Sequence, residues 1–204
     1  TDNNDFWQKA LLLGEEIVSS GWYQLENNYN EVFSITNEKN REIIYARPGD
    51  TNFNGHSWHA ITLTNNYPGI TTAWAVYKLL WSFYDTFQKE DLRLNTIVAS
   101  YVTDDGVLVN RDNPYDNRHG LGLGPLPMKY DLDPNQLGNT QGHDFIVYRY
   151  SEVLLSIAEI LNELGTNSNV NAPLVQQETK GGDIIQSDGG TSAISFLNAI
   201  RVRA

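Results

Sequence analysis

The residues with the clearest chemical potential fall between positions 50 and 74, where His56, Trp58, His59, Asn65, Asn66, Tyr67 and Trp74 stand among Asn, Thr and Gly. Trp58, Tyr67 and Trp74 offer rings on which a flat apolar ligand face could stack. His56, His59, Asn65 and Asn66 offer donors and acceptors to a rim of hydroxyls. The same aromatics could instead pin a long loop onto the core, and Trp74 in particular opens what reads as a helix face. His56 and His59 are three apart, but no carboxylate pattern nearby completes a zinc site. Asp131, Asp133 and Asn135 begin like a calcium loop, yet Gln136 and Gly142 occupy the sixth and twelfth positions, where that motif needs Gly and Glu. Neither a metal nor a cofactor is expected.

Other constellations carry less. Gly120, Gly122 and Gly124 lack the strand-then-helix setting of a phosphate loop. Glu152, Glu159 and Glu163 near Arg149, with Arg201 and Arg203 further on, could suggest paired catalytic carboxylates. Their helical context favours ion pairs and caps within a helical hairpin instead. No pair facing across a cleft can be nominated, so no enzymatic activity is expected. The net charge of −11 would repel a phosphate backbone, and nucleic acid is not an expected partner. Cysteine is absent, which excludes disulfides and thiolate chemistry.

These residues need elements to position them. Apolar residues at Phe6, Trp7, Ala10, Leu11, Ile17 and Val18 follow candidate caps at Asn3 to Asp5 and precede Gly21, the pattern of an amphipathic helix. Residues 42–46 are a short apolar run suited to a buried strand. A second helix is expected from Thr71 or Thr72 through Trp74, Tyr77, Leu80, Trp81, Tyr84 and Phe87, packed on the first. Residues 94–109 alternate as a hairpin with Asp104-Asp105-Gly106 at the turn. Residues 113–142 are punctuated by Gly and Pro and read as loop. A regular helix over residues 149–164 closes on Gly165. After a polar insertion, a final helix capped by Thr191 or Ser192 buries Ala193, Phe196, Leu197 and Ile200. Two helices joined in this way form an αα-hairpin, the unit of tetratricopeptide-like repeats, although no self-similarity at a ~34-residue period is visible. The expected class is mainly α: tetratricopeptide-like hairpins with long irregular loops and a short β-hairpin, in one domain spanning residues 1–204. The longest apolar stretches fall far short of the roughly 20 residues a membrane-spanning helix needs.

Residues 148–165, Tyr-Arg-Tyr-Ser-Glu-Val-Leu-Leu-Ser-Ile-Ala-Glu-Ile-Leu-Asn-Glu-Leu-Gly, precede Asn198-Ala199-Ile200-Arg201-Val202-Arg203-Ala204. This pair of segments resembles the signature of the SusD/RagB family. Ser20 to Leu25, Tyr29, Phe33, Asn40, Glu42-Ile43-Ile44, residues 90–93 and Met128-Lys129-Tyr130 stand in the family's order, so the resemblance covers nearly the whole chain. It implies a truncated SusD-like fold, lacking an N-terminal helical portion and a C-terminal continuation, and both ends look cut. It also implies a non-catalytic protein that captures glycans or oligosaccharides on the outer face of the outer membrane of Bacteroidetes, for polysaccharide utilisation. The membrane attachment would be a lipid anchor outside this piece, and the partner a SusC-like TonB-dependent transporter. Sugars present flat apolar faces ringed by hydroxyls, which suits the residue types at positions 56–74. The alternatives are a helical protein-interaction scaffold docking on such a transporter without a sugar site in this piece, and, less favoured, a glycoside hydrolase.

Overall fold

The computed structural model describes residues 3–116 and 119–203. In chain order the regular elements are α1 (Asn3–Ser19), β1 (Ile43–Arg47), α2 (Trp58–Thr62), α3 (Trp81–Tyr84), β2 (Ile97–Val98), β3 (Ser100–Val102), β4 (Leu108–Asn110), β5 (Leu126–Pro127), β6 (Phe145–Arg149), α4 (Tyr150–Leu164), β7 (Gln176–Glu178), β8 (Ile184–Gln186) and α5 (Ala193–Arg201). The strands form four two-stranded ladders, β1 with β6, β2 with β5, β3 with β4 and β7 with β8. Helices carry most of the regular structure, so the mainly α class expected from the sequence is the one observed. The chain divides into two compact units: Thr1–Val32, Lys39–Ala46 and Ile146–Ala204 form the first, and Phe33–Glu38 with Arg47–Phe145 the second.

The first unit is built on α1, α4 and α5. Leu11 of α1, Leu154, Ile157, Ile160 and Leu161 of α4, and Phe196 and Ala199 of α5 form its core with Leu25 and Tyr150. A Cβ on Gly14 would stand 2.8 Å from the Ile157 side chain, so α1 approaches α4 as closely as it does because this position has no side chain. Gly165 ends α4 in the left-handed conformation at φ 61°, the helix stop anticipated at that position. Ser192 caps α5 by accepting a hydrogen bond from the Ser195 N–H. The αα-hairpin is therefore present. Its connection, expected only as a polar insertion, contains the antiparallel β7–β8 pair, in which Gln177 faces Ile185.

A fully buried carboxylate ties this unit together. Glu42 accepts hydrogen bonds from the Glu26 N–H at 2.9 Å, from Arg149 at 3.1 Å and from Arg203, itself only 1% exposed. Both guanidiniums also face the Tyr29 ring, 5.7 and 5.6 Å from its centroid. Arg149 and Arg203 thus serve Glu42, a carboxylate outside the helical hairpin in which the sequence suggested ion pairs.

The second unit has its own core of Leu63, Ala73, Tyr101, Val109, Leu121 and Leu126, with Tyr67, Ile70, Trp81, Val98, Met128 and Leu132 packed against it. The expected hairpin is present at its turn but shorter: β3 and β4 pair with Val102 opposite Leu108, Gly106 takes φ 85° in the turn, and residues 97–98 pair with β5 instead. The helix expected over residues 71–87 is not. Residues 73–80 are irregular, with Ala75 in the left-handed region at φ 50°, and only Trp81–Tyr84 makes a helical turn. Ala73 and Ala75 point inward while Trp74, Val76, Tyr77 and Leu80 are exposed. Backbone bonds anchor the segment, from Trp74 to the Ala60 carbonyl, Ala75 to Leu63, and Val76 and Tyr77 to Ile61. Pairing with residues 60–63 has overridden an apolar spacing that also fits a helix. The helix on which α1 packs is α4, with α5 beside it.

Candidate functional site

All seven candidate residues belong to the second unit, where the structure sorts them into three groups. The first is a buried aromatic and imidazole cluster. His56 and Gln141 exchange backbone hydrogen bonds at 3.0 and 2.9 Å. The Gln141 side chain then accepts the His59 N–H at 2.8 Å and approaches His143 Nδ1 at 3.1 Å. His59, wholly buried, donates from Nε2 to the Tyr130 carbonyl at 3.0 Å, which leaves Nδ1 as the bare nitrogen of a neutral ring. His143 meets Asp131 at 2.6 Å. Around Tyr130 the ring centroids of His56, His143 and Trp58 lie 5.6, 5.5 and 6.3 Å away, and His143 is 6.2 Å from His56 and 5.8 Å from His59.

The electrostatics follow from burial. Desolvation, with charge on His143, His59 and Arg47 adding to it, pushes the His56 imidazole down to about 4. His59 is lowered as well, chiefly by burial, against the pull of the Tyr130 carbonyl. Burial alone would raise Asp131, but hydrogen bonds from His143, the Ile35 N–H and Ser34 carry it below its ordinary value. Buried polar atoms without a hydrogen-bond partner concentrate here: His56 Nε2, Trp58 Nε1, His59 Nδ1 and Asn66 Nδ2 all fall within residues 56–66.

The second group gathers on Tyr101. Its hydroxyl donates to Asn66 Oδ1 at 2.9 Å and lies 3.1 Å from Thr64 Oγ1, while the Tyr67 ring sits 5.2 Å away and donates its own hydroxyl to Met128 Sδ. Burial raises both phenols. The third group is the one that faces solvent. Asn65 Oδ1 accepts the Ala73 N–H at 2.5 Å, which fixes the start of the irregular segment, and the Trp74 side chain beside it is 44% exposed. Tyr77 follows on the same segment, 60% exposed.

The acidic residues that begin like a calcium loop are already committed. Asp133 accepts from Thr51, Gly142 and Asn135, and Asp131 from Ser34, Ile35 and His143. Among the described residues no group of three His, Asp or Glu side chains is placed to hold a metal ion. Among them, too, no helix is long and apolar enough to cross a membrane.

A family model of the SusD family, SusD_RagB, matches residues 20–204. The chain belongs to the SusD family. No curated protein matches its sequence. Among solved structures it is similar to surface glycan-binding protein A from Bacteroides uniformis, with a TM-score of 0.68 and 20% identity over 99% of this chain and 38% of that one. Surface glycan-binding protein A from Bacteroides thetaiotaomicron is similar at a TM-score of 0.70 and 18% identity, over 99% of this chain and 43% of that one. The same protein in complex with laminarihexaose aligns at 0.66 and 18%, over 99% of this chain and 44% of that one. The chain therefore spans well under half of those proteins. At such identities the likeness fixes the fold, and the resemblance seen in the signature segments is confirmed at the level of the family.

Within this SusD-family chain the signature residues Tyr29, Glu42, Arg149 and Arg203 converge on the buried carboxylate of the first unit. They hold the first unit together through one buried carboxylate. Sequence reasoning missed Tyr101, Tyr130, Gln141 and His143 as partners of the candidate residues, and it missed Tyr77 as an exposed ring. The alternation of small Ala73 and Ala75 with large Trp74 and Val76 was the available signal that only the two alanines face inward.

Proposed function

We propose that this chain is part of a non-catalytic glycan-binding protein, and that the stretch between His56 and Trp74 in its second unit presents the ligand-facing surface. The observation that carries the reading is Trp74, an indole left open to solvent on a segment whose backbone is bonded at both ends. A rigid exposed ring of this kind loses little freedom when a sugar face stacks on it. Asn65, exposed beside the segment's start, is the nearest of the expected hydroxyl partners. Trp58 is the second proposed platform. His56, His59, Asn66 and Tyr67 are proposed to set the surface from beneath, His59 above all because it is wholly buried. Membership of the SusD family and the laminarihexaose complex of a protein of the same fold support a glycan as ligand class. A SusC-like transporter as partner, a lipid anchor elsewhere in the parent protein and a place on the outer face of the outer membrane belong to the same proposal.

Native electrophoresis of the chain through gels containing laminarin, starch or xylan tests it. Retardation by one polysaccharide, with laminarihexaose recovered at unchanged length after prolonged incubation with the chain, is the expected outcome. Shortened oligosaccharide would overturn the non-catalytic reading, and unchanged mobility in a panel of neutral glycans would overturn glycan capture by this chain.

A further inference from the structure

We propose that residues 56–59 and 130–143 form a proton-operated latch that holds the His56–Trp58 loop, which leads into α2, closed at neutral pH and releases it in acid. The geometry is a cluster of three imidazoles, with centroids no more than 6.2 Å from His143, closed over by Tyr130 and Phe145. His59 and His143 are buried to 0% and 1% exposure. Two of the bonds that hold the loop depend on neutral rings: His56 Nδ1 accepts the Trp58 N–H at 3.3 Å, and Gln141, whose amide is shared with His143 Nδ1, accepts the His59 N–H. A proton on His56 Nδ1 abolishes the first. A proton on a second ring places like charges within one buried cluster, where screening by water is weak.

The surrounding charges set the balance. Asp131 bonds His143 Nε2, which leaves His143 Nδ1 to accept from the Gln141 amide. Asp133 lies near enough to act on His59, but its carboxylate is filled by Thr51, Gly142 and Asn135. Arg47 opposes charge on His56. Glu38 bonds the Asp144 N–H and is raised by burial, with Asp144 and Asp133 adding to it, so it gains a proton in acid and ceases to compensate the imidazoles. Asp144 holds the Gly49 N–H, and Lys129 faces the Phe33 ring. Acid therefore adds positive charge to the cluster while removing a nearby negative one. The latch acts on the fold itself and does not require a ligand.

The test is a ¹H–¹⁵N NMR titration of the full chain from pH 7.5 to 3.5, with the imidazole nitrogens followed in parallel. The amides of His56, Trp58, His59, Gln141 and His143 are expected to shift or broaden together below about pH 5, while the α4 amides hold their positions and His56 stays neutral at pH 6. His56→Gln, which cannot take the proton, moves the transition to lower pH. Should this variant not fold, the wild-type titration alone decides. Cluster amides unmoved at pH 3.5, protonation of His56 at its ordinary value near 6.5, or simultaneous loss of all resonances would each overturn the latch.

Discussion

Replacing Glu42 by Gln should cost this protein more stability than any surface substitution, and the structure gives the size. The carboxylate is wholly buried and serves three donors: the Glu26 N–H, Arg149 and Arg203. Glutamine keeps the shape and one acceptor oxygen but removes the charge, and its NH₂ group points a donor at a donor. Arg203 is then left at 1% exposure with no counter-charge, while Arg149 can still lean toward solvent. Breaking a buried pair in this way costs about 3–5 kcal/mol. At a urea slope of about 2 kcal/mol per molar, the unfolding midpoint should fall by about 1.5–2.5 M. Urea titration followed by circular dichroism at 222 nm reads the helices of the first unit. The double variant Glu42→Met, Arg203→Met should recover much of the loss, because an apolar pair of similar volume removes both charges together. A Glu42→Gln loss below about 1 kcal/mol would show that Arg203 finds solvent or another partner, and the clamp would then not be what holds this unit.

Other consequences follow. His56 is neutral in the folded protein down to about pH 4 and takes a proton near 6.5 when unfolded, so its contribution is complete above 6.5 and lost as pH falls toward 4, about 3 kcal/mol in all. Glu38, raised by burial, has the opposite sign and restores some stability over the lower part of that range. Urea midpoints that do not move between pH 7 and 4.5 would contradict this balance. Gly14→Val drives a branched side chain into Ile157 and should lower stability by about 1–3 kcal/mol, whereas an unchanged melting temperature would mean that α1 can lift off α4 at no cost. Ser192→Ala removes the α5 cap and should cost about 1 kcal/mol, seen as a small fall in melting temperature with an unaltered native spectrum.

Much of the first unit was legible in the sequence because its signals are local and agree with one another. In α4 the apolar period, the Gly165 stop and the length of the run point one way, and in α5 the Ser192 cap precedes a single buried face. The second unit was harder to read. At residues 71–87 a capping Thr and an i, i+3, i+7 apolar spacing suggest a helix, but the rings involved also suit a strand. The outcome was decided by backbone partners at residues 60–63 that no local window contains. The candidate residues at 56–74 were chosen for chemistry, and chemistry alone does not reveal that His59 and Tyr67 spend their polar atoms on Tyr130 and Met128. Those partners lie 71 and 61 residues away in the chain, in a Gly- and Pro-rich stretch whose side-chain directions follow no period. The glycan reading came from the signature segments, and the residues of that signature proved to build the Glu42 clamp.

The decisive measurement is native affinity electrophoresis with the retarding polysaccharide in the gel, run for the wild-type chain, Trp74→Ala and Trp22→Ala. Trp22 is also an exposed indole, at 77%, but it belongs to the first unit and serves as the control. Glycan capture on the second unit predicts that Trp74→Ala weakens retardation by about tenfold in apparent affinity, equivalent to about 1.4 kcal/mol, while Trp22→Ala migrates like wild type. Retention unchanged by Trp74→Ala and lost in Trp22→Ala would place the sugar on the first unit and contradict the account.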